Sequence, residues 1–140
     1  MTLEAAGTYA TSLAGVKVGR KWNNRTWMVG DKGFAWERPF SKADLKRFGD
    51  APPPSGEILA VIVENLDAKD ALLAIAPAGF FTIPHFVGYP AILIELRLAR
   101  TADVRAAILA AYRLAAARAD GKSIAKPRRV TSKTRPRKSR

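Results

Sequence analysis

Arg25-Thr26-Trp27-Met28-Val29-Gly30-Asp31-Lys32-Gly33-Phe34-Ala35-Trp36-Glu37 decides the fold. Arg25 to Val29 and Gly33 to Glu37 read as two short strands, with Asp31-Lys32-Gly33 as the turn between them. Gly33 is expected to take the positive φ that such a turn often needs. Trp27, Val29, Phe34 and Trp36 give this hairpin its apolar surface. Upstream, Leu3, Ala6, Tyr9, Ala10 and Leu13 recur at helical spacing, so Thr2 to Leu13 reads as an amphipathic helix that Gly15 and Gly19 break.

Downstream, Ser41 caps a short helix from Lys42 to Phe48, with Asp44 at the capping-box position and Gly49 at its end. Pro52, Pro53 and Pro54 mark a stiff loop. Ile58 to Glu64 is apolar on both faces and reads as a central strand. Asp67 is expected to cap a helix that runs to about Ala76. Phe80 to Pro90 is irregular and rich in aromatic residues. Ala91 to Leu98 is the last strand, with Ile92, Ile94, Leu96 and Leu98 on one face. Thr101 is expected to cap the longest helix, to about Arg118, buried along Val104, Ile108, Ala111, Tyr112 and Ala115. This order predicts an α+β two-layer sandwich: a small, largely antiparallel sheet with helices on one face. The other face is then partly solvated or binds something.

Charge divides the chain. Its 140 residues hold 24 Lys and Arg against 12 Asp and Glu, a net +12. Residues 121–140 carry nine of those cations and no acid, while residues 1–120 balance to a net +3. A domain over 1–120 followed by a disordered basic tail over 121–140 is the expected organisation, since the tail has only Ile124 and Val130 as large apolar residues. With no cysteine and the single histidine His85, thiolate sites and sites built on two histidines are excluded. Neither a metal nor a cofactor is implied. No leader-like segment opens the chain and no apolar run approaches ~20 residues. A cytoplasmic, monomeric protein that does not engage membranes is the expectation.

Three stretches carry a resemblance. They are Lys21-Trp22-Asn23-Asn24-Arg25-Thr26-Trp27-Met28-Val29, Gly33-Phe34-Ala35-Trp36-Glu37-Arg38-Pro39, and Phe80-Phe81-Thr82-Ile83-Pro84-His85-Phe86-Val87-Gly88-Tyr89-Pro90-Ala91. From roughly Leu3 to Tyr112 the chain resembles the MmcQ/YjbR family of small bacterial proteins. The resemblance implies a CyaY/frataxin-like fold, also described as a double wing, and the label of a DNA-binding protein. It implies no catalytic residues. Tyr112 stands where family members often have Trp, and the basic extension lies outside the family pattern.

The candidate residues form three groups. Lys122, Lys126, Arg128, Arg129, Lys133, Arg135, Arg137, Lys138 and Arg140 suit binding to a phosphate backbone, DNA or RNA, with release of condensed counterions. A solubilising tail without a dedicated partner is the alternative. Around the hairpin, Lys17, Arg20, Lys21, Arg25, Arg38, Lys42, Lys46 and Arg47 lie near Trp22, Trp27, Trp36 and Phe40, as a basic patch for phosphates or as an ordinary solvated face. Last, Phe81, Thr82, Pro84, His85, Gly88, Tyr89 and Pro90 make a rigid, aromatic loop. His85 there is expected to hydrogen-bond loop backbone or to line a pocket with Tyr89. No cysteine, serine or carboxylate stands near it in sequence to complete a triad, so the reading is non-enzymatic. The leading expectation is DNA binding of low sequence specificity, and the rival is a small-molecule or protein-binding module built on the Phe80–Pro90 loop.

Overall fold

The computed structural model describes residues 1–21, 23–49 and 56–128. At its centre, two paired antiparallel strands bury both of their faces. Leu59, Val61, Ile92 and Ile94 point into one apolar cluster. Ile58, Ala60, Ala91 and Leu93 point into a second, because neighbouring residues on a strand face opposite ways. Each fully buried aliphatic side chain of this kind contributes about 1.5–3 kcal/mol.

The elements run α1 (Leu3–Thr11), β1 (Val16–Lys21), β2 (Asn24–Val29), β3 (Lys32–Glu37), α2 (Lys42–Arg47), β4 (Ile58–Ile62), α3 (Leu66–Ile75), β5 (Phe80–Phe81), a 3₁₀ turn (Pro84–Phe86), β6 (Ala91–Glu95) and α4 (Thr101–Arg128). The six strands form one sheet in the order β1-β2-β3-β4-β6-β5, antiparallel at every pairing. The fold is therefore α+β, with helices packed on the sheet.

On the first face, α4 presses Val104, Ile108, Ala111 and Ala115 onto the cluster that holds Phe34 and Leu59. This is the stripe that the sequence predicts, except that Tyr112 is only partly buried. Beside it, α1 inserts Leu3, Ala6 and Ala10 over Trp27. The Tyr112 hydroxyl donates to the carbonyl of Ala14 at 2.6 Å and ties the turn after α1 to α4. On the second face, Trp36, Ile58, Ala60 and Leu93 are covered by Phe40 and Phe48, which flank α2, and by Ile83 and Phe86 around the 3₁₀ turn. This cover is partial, and its edge forms the site described below.

Several local expectations change. β1 is a strand that the sequence reading misses. Gly19 does not break the chain; it sits opposite Thr26, and a Cβ there would collide with the Met28 side chain. Gly30, not Gly33, takes the positive φ (61°) of the β2–β3 turn. Asn65 rather than Asp67 caps α3, accepting from the Ala68 N–H at 2.8 Å. β6 ends at Glu95, so Leu98 lies half exposed in the following turn, and buried Glu95 pairs with Arg97 at 2.7 Å. α4 continues to Arg128, beyond the expected end near Arg118. The Ser41 capping box on α2 is present, with both reciprocal hydrogen bonds. The run Pro52 to Pro54 and residues 129–140 lie outside the described residues.

β5 is held at the sheet edge through Gly79, whose carbonyl accepts from the Glu95 N–H at 2.7 Å. Gly79 has φ +84°, and a Cβ there would stand 2.7 Å from the Glu95 carbonyl oxygen and 2.9 Å from the Ala99 nitrogen, both backbone atoms. Gly88 has φ +79° with nothing within 4 Å of a Cβ. Gly79→Ala is expected to lower unfolding free energy by more than ~2 kcal/mol, and Gly88→Ala by only about 1 kcal/mol. Urea denaturation of the two variants checks the difference.

Candidate binding pocket

Trp36 is the last large side chain of β3 on the second face, opposite Thr26 on one neighbour and Ala60 on the other. Beyond Glu37 the chain leaves the sheet after one more hydrogen bond, from the Arg38 N–H to the Ile58 carbonyl at 2.9 Å. It then turns over the sheet through Pro39, Phe40 and Ser41 into α2. A buried carboxylate fixes this wall. Asp44, 2% exposed, accepts from the Arg38 Nη1 at 2.9 Å, from the Ser41 N–H at 3.0 Å and from the Arg47 Nη1 at 3.2 Å. Burial alone would push the Asp44 carboxyl up. The Ser41 backbone N–H and the Arg38 guanidinium outweigh it and hold the group below its ordinary 3.8.

The facing wall is the loop from Ile83 to Pro90. A buried lysine fixes it. Lys69 of α3, 4% exposed, donates from Nζ to the carbonyls of Phe86 at 2.6 Å and Tyr89 at 3.0 Å. Burial pushes its pKa below the ordinary 10.5, and the adjacent Asp70 offsets part of that. The loop also closes on itself, Tyr89 N–H to the Phe86 carbonyl at 3.0 Å, and onto the residue just after β4, Val63 N–H to the Pro90 carbonyl at 2.9 Å.

Between the walls lies a cavity of about 670 Å³ lined by Asn24, Trp36, Arg38, Pro39, Phe40, Ser41, His85, Phe86 and Tyr89. This size is within the range of small-molecule sites. Phe86 and Tyr89 meet edge to face with centroids 5.6 Å apart, and Trp36 stands 6.5 Å from each of them. Arg38 lies over the Phe86 ring, its Cζ 5.5 Å from the centroid. Among the described residues the lining thus holds one guanidinium, one imidazole and no carboxylate.

His85 and Tyr89 line the pocket together, one of the two roles expected for His85; the loop backbone is held by Lys69. Phe81 pairs with Leu93 on the sheet edge and packs against Phe40. Pro84 opens the 3₁₀ turn, while Thr82 and Gly88 are exposed. Pro90 lines a smaller neighbouring groove with Lys21 and Arg118.

The hairpin cations do not gather on one surface. Residues opposite each other across β1 and β2 share a face. Arg20 therefore lies with Arg25 and Trp27 on the α1 side, and Lys17 and Lys21 lie with Met28 and Asn24 on the pocket side. Arg25 is engaged by Glu37 at 3.4 Å, and Arg38 and Arg47 by Asp44. Lys42 and Lys46 are exposed on α2. Lys122, Lys126 and Arg128 fall on the last stretch of α4. Trp22 and the cations from Arg129 to Arg140 lie outside the described residues. Among the described residues no group of three or more His, Cys, Asp or Glu could hold a metal, and no helix is long and apolar enough to cross a membrane.

Comparison with known proteins finds relatives in mycobacteria. The protein Rv2570 of Mycobacterium tuberculosis (strain ATCC 25618 / H37Rv) is 45% identical over 89 residues, covering 61% of this chain and 68% of the relative. Mb2600 of Mycobacterium bovis (strain ATCC BAA-935 / AF2122/97) matches to the same extent. The chain belongs to the family of these mycobacterial proteins. Its members named here are described as uncharacterized, so the family brings no activity with it. No family model matches the chain. A crystal structure of a protein from Pseudomonas syringae, Northeast Structural Genomics Consortium target PsR293, superposes with a TM-score of 0.63 at 14% identity, covering 82% of this chain and 99% of that one. That likeness concerns the fold.

Because Asp44 has a folded-state pKa below its unfolded value, its ion pairs stabilise the protein fully above about pH 4 and are lost as pH falls through the folded pKa. Asp44→Asn is expected to cost about 2 kcal/mol at pH 7, as a charged hydrogen-bond partner is lost. The variant should also show a weaker decline in stability below pH 4 than the parent. Urea midpoints measured from pH 7 to pH 3 check both.

Proposed function

We propose that this protein is a non-enzymatic, cytoplasmic binding module whose pocket between Trp36 and Tyr89 holds an aromatic organic anion. The observation that carries this is a cavity walled by rings in which, among the described residues, the formal charge is a guanidinium. Ring walls favour a flat, polarisable ligand through stacking and edge-to-face contact. An aromatic cage for cations needs an open ring face and negative surroundings. Here Arg38 already covers Phe86, and the lining has no acid among the described residues. Arg38, Asp44 and Arg47 together keep one positive charge, so an anion is favoured. The test is a titration with a naphthalene sulfonate, followed by its emission. Saturable binding is expected, and Tyr89→Ala should weaken it about tenfold, since a stacking contact is worth ~1–3 kcal/mol. Equal affinity of parent and variant overturns the reading.

A second reading is binding of nucleic acid, DNA first, along its phosphate backbone. The nine cations of residues 121–140 favour it, and the resemblance to MmcQ/YjbR proteins supports it. If about half of these charges engage, log K against log salt should slope near −4 for a duplex. Removing residues 121–140 should then flatten the slope and remove most of the affinity. A truncated chain that binds as tightly as the full chain would sink the tail's role.

A further inference from the structure

We infer that the ligand of the Trp36–Tyr89 pocket is a nucleotide unit, its base among the rings and its phosphate at the cationic side. This rests on the reading of the pocket as a site for aromatic anions and narrows it to one chemical class.

Hydrogen-bonding groups are interleaved with the rings. Ser41 Oγ accepts from the Asp44 N–H at 3.1 Å, so its own proton is available for a ligand acceptor. The Tyr89 hydroxyl and the His85 ring nitrogens add further donors or acceptors at the rim, where both residues are exposed. A plain hydrocarbon ring uses none of these; a nucleobase edge uses several. The cavity of about 670 Å³ also exceeds the needs of a single-ring acid and leaves room for a sugar and a phosphate.

Charge is graded across the sheet face. Both hydrogen bonds of the Arg38 side chain leave from Nη1, toward Pro39 and Asp44. That geometry orients the guanidinium as a fixed plane against Phe86. Asn24 lines the pocket, and Lys21 stands directly opposite it across the β1–β2 pair. Lys17 lies further along the same face, opposite Met28. A carboxylate needs one cation. A phosphate, or a chain of phosphates leaving the pocket toward β1, meets Arg38 first and the two lysines after it.

Two sources present this chemistry: a free mononucleotide, and an unpaired unit of a single strand. Adenosine monophosphate, adenosine, an adenine-containing single-stranded DNA oligonucleotide and its duplex are titrated into the full chain against bound naphthalene sulfonate. The monophosphate is expected to displace the dye, and adenosine to do so at least tenfold more weakly. Tyr89→Ala should weaken the monophosphate about tenfold, and Tyr89→Phe should restore most of it. A single strand that binds more tightly than the monophosphate identifies the polymer as the source. One that binds no better identifies the free nucleotide. If the dye binds through Tyr89 but neither nucleotide nor single strand displaces it, the nucleotide assignment falls and the broader pocket reading stands. If the dye also fails to bind, both fall. A duplex that binds as well as the single strand, indifferent to Tyr89→Ala, overturns the base-in-pocket assignment.

Discussion

One buried ammonium anchors the loop wall of the pocket to the rest of the fold. Lys69 holds two carbonyls of the Ile83–Pro90 loop, those of Phe86 and Tyr89. The loop contains no regular element longer than a single 3₁₀ turn. Without that donor the carbonyls of Phe86 and Tyr89 would keep only the backbone N–H groups of Tyr89 and Ala91 as partners and would each lose a charged hydrogen bond, at a cost of about 1.5–3 kcal/mol apiece. The opposite wall depends in the same way on the carboxylate of Asp44. Each wall is therefore an irregular segment that has one buried charge among its anchors. The rings between them keep their spacing because the backbone on either side is anchored to a regular element, α3 in one case and α2 in the other.

The sheet makes this arrangement possible. Its central strands are apolar on both faces, so both need cover. Helices α1 and α4 cover the centre of one face and leave Val18 and Arg20 of β1 exposed at its border. Among the described residues the second receives a short helix, its flanking phenylalanines and a loop. The cover ends near Trp36, and what is left beyond it toward β1 is a polar and cationic face. A pocket at that boundary is a consequence of a sheet wider than its second layer.

Much of the architecture is legible in the residues. The α4 stripe follows from the spacing of Val104, Ile108, Ala111 and Ala115, and α2 follows from Ser41 and Asp44. The double-sided burial of β4 follows from an unbroken apolar run. Other features are not legible because they are made by pairing. Val16–Lys21 is short, cationic and interrupted by glycine; it is a strand because β2 offers it a register. β5 is two residues long. Lys69 sits in a helix among Asp67 and Asp70, where the same residue type would ordinarily be solvated. The pocket is half legible. The loop around His85 and Tyr89 stands out by its rigid, aromatic composition, but its partners Trp36, Arg38 and Ser41 come from a distant part of the chain, and no spacing rule links them.

β1 is also an outermost strand, with one row of backbone N–H and C=O groups unshared within the sheet. Such a row is a template for adding further strands. Here it is Val16–Lys21, which carries Lys17, Arg20 and Lys21. A second molecule laid along it would bring like charges together at close range. The cationic border therefore works as a guard against indefinite lateral growth of the sheet. A protein with such a border can keep an open, partly covered β-surface in concentrated solution without polymerising through it.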